Sequence, residues 1–215
     1  MRTQALVLVL SAAVLCIASL VRGYPKPSPY PISWELKFEY SHPRRIVVQT
    51  PAAAGPEAFW YITYTVTNLT GQEQRFLPVF ELLADDGRVI RSDNQIHPAV
   101  IDAIRVREKK PHLETVNQIA GTIRLGEDQA RDGVAVWREP MRQMGSFTIY
   151  VGGLSGEAVM LKDAEGKVVE MAGPDGTKSP VVLRRTLELQ YRMLGEEAPP
   201  GPEPIEFLGR QWVMR

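Results

Sequence analysis

Ten consecutive residues, Phe59-Trp-Tyr-Ile-Thr-Tyr-Thr-Val-Thr-Asn68, are almost all aromatic or β-branched. Such side chains fit a pleated surface and lose rotamer freedom in a helix. A chain that carries this segment must build a sheet around it. Other stretches agree. Trp34, Leu36, Phe38 and Tyr40 alternate with Glu35, Lys37 and Glu39, the period of a strand with one wet face. Further strands are predicted at Arg45–Gln49, Arg75–Leu83, Val89–Ile90, Gly133–Arg138, Ser146–Val151 and Leu183–Met193. Val159–Leu161 and Val168–Val169 read as a pair across Asp163–Gly166. Pro78 marks an edge or a bulge, because proline cannot donate to a ladder. Asp85-Asp86-Gly87 is a hairpin turn. Only Val100, Ile101 and Ile104 recur at helical spacing, which predicts a short helix near residues 98–107; Leu113–Leu125 is ambiguous.

Many short strands joined by Gly/Asp turns predict an all-β fold, an Ig-like β-sandwich with one helical insertion. Apolar residues at 44% and charged residues at 23% exclude disorder over the whole chain and a polytopic membrane protein. A membrane barrel is excluded too, since the ~10-residue repeating segments it needs are missing.

The N-terminus reads as an address. One arginine precedes an apolar run from Ala5 to Val21, and Arg22-Gly23 closes it. This is the layout of a secretory signal, with cleavage expected before Tyr24 and Cys16-Ile17-Ala18 as a second candidate site. An uncleaved anchor and lipidation at Cys16 are the alternatives, the latter opposed by Leu15 directly before the cysteine. The expected organisation is a signal at 1–23, a proline-rich linker at 24–31, a sandwich at 32–195 and a Pro/Glu-rich arm at 196–215 that ends in a docked or trailing strand. No stable membrane insertion is expected once the signal is gone. Cys16 is the one cysteine, so a processed chain has no thiol catalyst and no cysteine-ligated metal.

The chain holds 25 basic and 25 acidic residues. A protein that binds nucleic acid through charge shows a basic excess, so no nucleic-acid partner is expected. His42, His97 and His112 lack the spacing of a metal site, and no cofactor is expected. Gly153-Leu154-Ser155 matches half of an esterase elbow, but Glu157 stands where the last glycine belongs. Asp85/Asp86 and Glu196/Glu197 are adjacent pairs, which cannot face a sugar from two sides as hydrolysis requires. Asn68-Leu69-Thr70 is a glycosylation acceptor pattern that also ends a strand. Two features remain as binding candidates. Arg105 and Arg107 belong to the basic cluster Arg105–Lys110, either a helix end or a docking site for an acidic polymer. Trp60 and Trp137, with Trp34 and Tyr61, are either core or a platform for sugar rings.

The stretch Trp60–Gly71, followed by Phe76-Leu-Pro78 and Glu81–Gly87, resembles extracellular bacterial Ig-like modules. Gly133–Trp137 and Phe147–Ser155 are similar to exported proteins of planctomycete-type bacteria. The resemblance implies a sandwich outside the cytoplasm and carries no catalytic residue across. The expected function is therefore non-enzymatic: binding or scaffolding of a cell-envelope component, either a protein or a polysaccharide. A carbohydrate-binding module is the alternative, and a hydrolase with a scattered site is third.

Overall fold

The aromatic segment forms a long strand of the first sheet and is buried on both of its faces. A computed structural model describes residues 24–51, 53–139, 145–193 and 205–215. The expected signal at 1–23 and the first part of the Pro/Glu-rich arm, residues 196–204, lie outside the described residues. Among those described, no helix is long and apolar enough to cross a membrane.

The first sheet has five strands: β1 (Lys37–Tyr40), β2 (Arg44–Val48), β3 (Glu57–Asn68), β7 (Glu114–Thr115) and β9 (Gly126–Arg138), in the order β1-β3-β9-β7. β1 and β2 line the same edge of β3 in succession. The second sheet has six: β5 (Val79–Leu83), β6 (Val89–Arg91), β10 (Ser146–Gly152), β11 (Ala158–Met160), β14 (Val182–Met193) and β15 (Ile205–Met214). Its order is β11-β14-β10-β5-β6, with β15 paired to β14 from Arg185 to Met193. The final strand thus docks. β4 (Gln74–Phe76) pairs with β8 (Gly121–Ile123), and β12 (Glu170–Ala172) with β13 (Lys178–Pro180). Leu77-Pro78 is the step at which the chain leaves the β4–β8 pair for the second sheet, so the proline removes no donor from a continuing ladder.

The two sheets enclose one core. Trp60, Ile62, Tyr64 and Val66 of β3 share it with Phe80 and Leu82 of β5, Phe147, Ile149 and Val151 of β10, and Leu187, Leu189 and Tyr191 of β14. These are alternate positions on each strand, as a sandwich requires. The fold is an all-β sandwich with a short helix, as the patterning implies. The remaining positions of β3, Phe59 and Tyr61, join Val134 and Val136 of β9 in a second cluster. Helix α1 (Pro98–Glu108) closes that cluster with Val100, Ile101 and Ile104. A strand buried on both faces reads as a continuous apolar run, which explains the lost alternation in Phe59–Asn68. His97 caps α1 by accepting from the Ala99 N–H, and Lys109 ends it in a left-handed conformation. The ambiguous stretch at 113–125 resolves into β7, helix α2 (Val116–Ile119) and β8.

Asp93 ties α2 to the sandwich by accepting from the Val116 N–H at 2.9 Å. Its other oxygen has no hydrogen-bond partner among the described residues. Burial pushes the carboxyl up to about 6 from 3.8. The folded state therefore holds the proton more tightly than the unfolded chain. The stability that goes with this protonation is complete below pH 4 and is lost as pH rises to 6. Asp93→Asn is expected to raise stability by about 2 kcal/mol at pH 7.5 and to change little at pH 4. Asn also suits the positive φ of 57° at this residue. Urea unfolding at both pH values checks this; equal effects at the two would contradict it.

Candidate functional site

The outer face of the first sheet is covered by α1. The outer face of the second is not, and its side chains follow from strand parity. Phe147, Ile149 and Val151 point inward, so Thr148, Tyr150 and Gly152 point outward. The register sets two cross-strand rows. Glu81, Tyr150, Glu188 and Gln211 form one; Val79, Gly152, Thr186 and Val213 form the other. Gly152 leaves a gap in the second row between Val79 and Thr186. A cleft of about 480 Å³ opens there.

Four separate segments supply its walls. Trp34 comes from the N-terminal segment, which pairs with Leu154–Gly156 through the Leu36 N–H on Leu154 (2.9 Å) and the Gly156 N–H on Trp34 (3.0 Å). Arg75 comes from β4, just before the step at Leu77-Pro78. Arg184 comes from β14, and Arg215 follows β15. The backbones of Arg184 and Arg215 exchange hydrogen bonds at 2.7 and 2.9 Å. The Arg215 guanidinium lies 4.0 Å over the Tyr150 ring and 2.8 Å from the Glu81 carboxylate. Burial raises the Tyr150 pKa, Glu188 adds to the rise, and Arg215 opposes it. Arg75 and Arg184 are exposed and make no side-chain hydrogen bond or ion pair among the described residues.

The half-elbow at Gly153–Ser155 forms one rim of the cleft and is a strand-end turn. Gly153 has φ +87°, and a Cβ there would collide with the Leu77 carbonyl oxygen. Ser155 is buried, and its hydroxyl accepts from the Glu157 N–H at 3.1 Å. The three histidines stand apart from the cleft. Among the described residues, no cluster of three or more His, Cys, Asp or Glu is placed to hold a metal.

A second cleft of about 700 Å³ adjoins the first and shares Tyr150 and Arg215 with it. Its far wall is Tyr24-Pro25-Lys26-Pro27. The proline-rich stretch is thus laid against the sandwich. The Ser28 N–H donates to Glu157 at 2.8 Å, and Pro25, Pro27 and Ser28 are half-buried. Glu157 in turn faces Arg185 at 3.1 Å, and both side chains are 6% exposed. Arg185 also meets Glu35 at 3.3 Å and stacks on Trp212 at 4.5 Å.

The binding candidates drawn from the sequence lie elsewhere. Trp60 and Trp137 are each 1% exposed and sit opposite one another on β3 and β9. They cannot present a ring to a sugar, because the second sheet covers them. Tyr61 is fully buried on the other face of β3, and its hydroxyl donates to Glu108. Trp34 alone of that set lines the cleft. Arg105 is turned inward, donating to the Leu113 carbonyl at 2.7 and 3.1 Å and pairing with Asp102 at 2.9 Å. Arg107 donates to the Arg45 carbonyl. Arg105 thus serves the packing of α1, while Arg107 keeps an exposed side chain. Asn68 is fully buried, with its amide donating to the Ile123 and Gln72 carbonyls; it ends its strand and is not a free acceptor. The cleft residues Arg75, Tyr150, Arg184 and Arg215 were not singled out from the sequence, and Gly152 was read only as the start of the half-elbow turn. Parity along Ser146–Gly152 does mark Tyr150 and Gly152 as outward-facing.

These features define an all-β sandwich with an arginine-lined cleft on one outer sheet face. No family model, catalytic or otherwise, matches the chain, and neither a curated protein nor a solved structure matches it.

Proposed function

We propose that the protein is an exported, non-enzymatic β-sandwich that binds a cell-envelope component through the cleft around Gly152. The observation that carries this reading is the combination of a gap in the sheet face with two exposed guanidinium groups beside it, Arg75 and Arg184, that make no ion pair among the described residues. A cleft of this size, with polar and charged side chains converging on it, suits ligand binding. Its ionisable side chains are Arg75, Arg184, Arg215, Glu81 and Tyr150. Glu81 is held by Arg215, so the acid–base pair that hydrolysis needs has no counterpart among the side chains lining the cleft. The signal-like N-terminus supports export.

The test is co-sedimentation of the purified protein with envelope material from its source organism. The native protein is expected in the pellet and Gly152→Val in the supernatant. A Cβ at Gly152 meets Val79 and Thr186 at ordinary contact distance, so the valine fills the cleft without disturbing the core. Equal sedimentation of both proteins would show that the cleft is not the binding surface.

A further inference from the structure

We propose that the two adjoining clefts form one groove for a linear, carboxylate-bearing polysaccharide, a polyuronate; this rests on the binding reading above and names its ligand. The first argument is charge. Arg75, Arg184 and Arg215 line the first cleft, and Glu81 is the one acidic side chain among its lining residues. Lys26 adds a fourth cation in the second. The one acid there, Glu188, is buried and receives hydrogen bonds from Gln190 and Gln211. A guanidinium presents a planar fork of donors that matches a carboxylate. Arg215 is already held in place by Glu81 and the Tyr150 ring, so little side-chain freedom remains to be lost on binding.

The second argument is the position of the groove. It lies on the face of a sheet. The backbone groups of β5, β10 and β14 at this point are spent in ladders with one another. A peptide recognised by strand addition needs a free edge, and none borders Gly152. Recognition must come from side chains and ring faces. Trp34 supplies a ring, and the Tyr150 ring carries the Arg215 guanidinium. The electron-rich face of an aromatic ring attracts the polarised C–H groups on the flat side of a pyranose.

The third argument is length. The clefts measure about 480 and 700 Å³ and meet at Tyr150 and Arg215. A single sugar would occupy one of them; a chain runs through both. The Tyr24–Pro27 wall is proline-rich, hence stiff before any ligand arrives.

The experiment is affinity electrophoresis of the full chain through gels containing polygalacturonate, its methyl ester, dextran or polyglutamate. The envelope co-sedimentation is run in parallel. Polygalacturonate is expected to retard the native protein, and the other three to do so at least about tenfold more weakly, the value of a lost charge-assisted pair. Gly152→Val and the double variant Arg75→Ala/Arg184→Ala are each expected to abolish retardation while keeping the native thermal transition. The arginine pair is exposed, so it keeps the test intact if the valine variant fails to fold. Equal retardation by the methyl ester or dextran would overturn the carboxylate requirement, and equal retardation by polyglutamate would overturn the sugar. Retention on envelope material without retardation by polygalacturonate would overturn the ligand class alone. Loss of both would overturn the binding reading as well.

Discussion

Trp137→Ala is expected to lower the stability of the protein by about 3–5 kcal/mol, the range for removing a fully buried aromatic side chain. The ring is 1% exposed and stands opposite Trp60 across the β3–β9 ladder. The loss combines the lost transfer of the indole from water with a cavity that the two sheets cannot collapse to fill. Trp137→Phe should recover more than half of it. The indole N–H has no partner among the described residues, so its removal costs nothing in hydrogen bonding. Urea unfolding followed by circular dichroism reads both changes. A cost below about 1 kcal/mol for the alanine variant would mean a surface ring, which is what a sugar platform at this position would require.

Glu157→Ala is expected to cost about 3 kcal/mol or more, because it strands a buried cation. Arg185 is 6% exposed, and its Nε has no hydrogen-bond partner among the described residues. With Glu157 gone it keeps only Glu35, at 3.3 Å and without hydrogen-bond alignment, and the Trp212 face. Replacing both members, Glu157→Leu with Arg185→Met, should restore part of the stability, since apolar residues of like size often substitute for a buried pair without loss, while Glu35 loses its partner in Arg185. The same change frees the Ser28 N–H. The Tyr24–Pro31 stretch should then become the first site of proteolytic cleavage, visible by limited digestion and mass measurement. A double variant as unstable as the single one would contradict the assignment of the cost to a stranded charge.

Most strands were legible because period-2 alternation is local. Phe147, Ile149 and Val151 against Thr148 and Tyr150 is one instance, and Leu187, Leu189 and Tyr191 against Glu188 and Gln190 another. Their long-range pairing was not legible. Val159–Leu161, expected to pair with Val168–Val169, meets that segment only at an isolated Lys162–Val168 bridge and a Val169–Leu161 hydrogen bond, while Ala158–Met160 pairs with β14. Helix α1 was legible from Val100, Ile101 and Ile104. The role of the aromatic residues was not. In Phe59–Val66 both faces are apolar because α1 makes a third layer, and nothing in the segment itself says which layer covers which face. The segment alone therefore left Trp60 and Tyr61 open to either a core or a platform role, and they are core. The cleft was hidden for a different reason. Trp34, Arg75, Gly152, Arg184 and Arg215 meet only through long-range pairing, and the feature that opens it is a missing side chain. Arg105 and Arg107 were visible as a cluster, but their acceptors, the carbonyls of Leu113 and Arg45, lie in other segments.

The most direct test of the Gly152 face as the ligand surface is amide chemical-shift mapping of the native protein titrated with short galacturonate oligomers. Shifts are expected at Tyr150, Gly152, Gly153, Arg184 and Arg215, with Phe59–Val66 and α1 unmoved. Saturable shifts confined to α1 and the Arg105–Lys110 segment would place binding on the opposite face and contradict the assignment of the site.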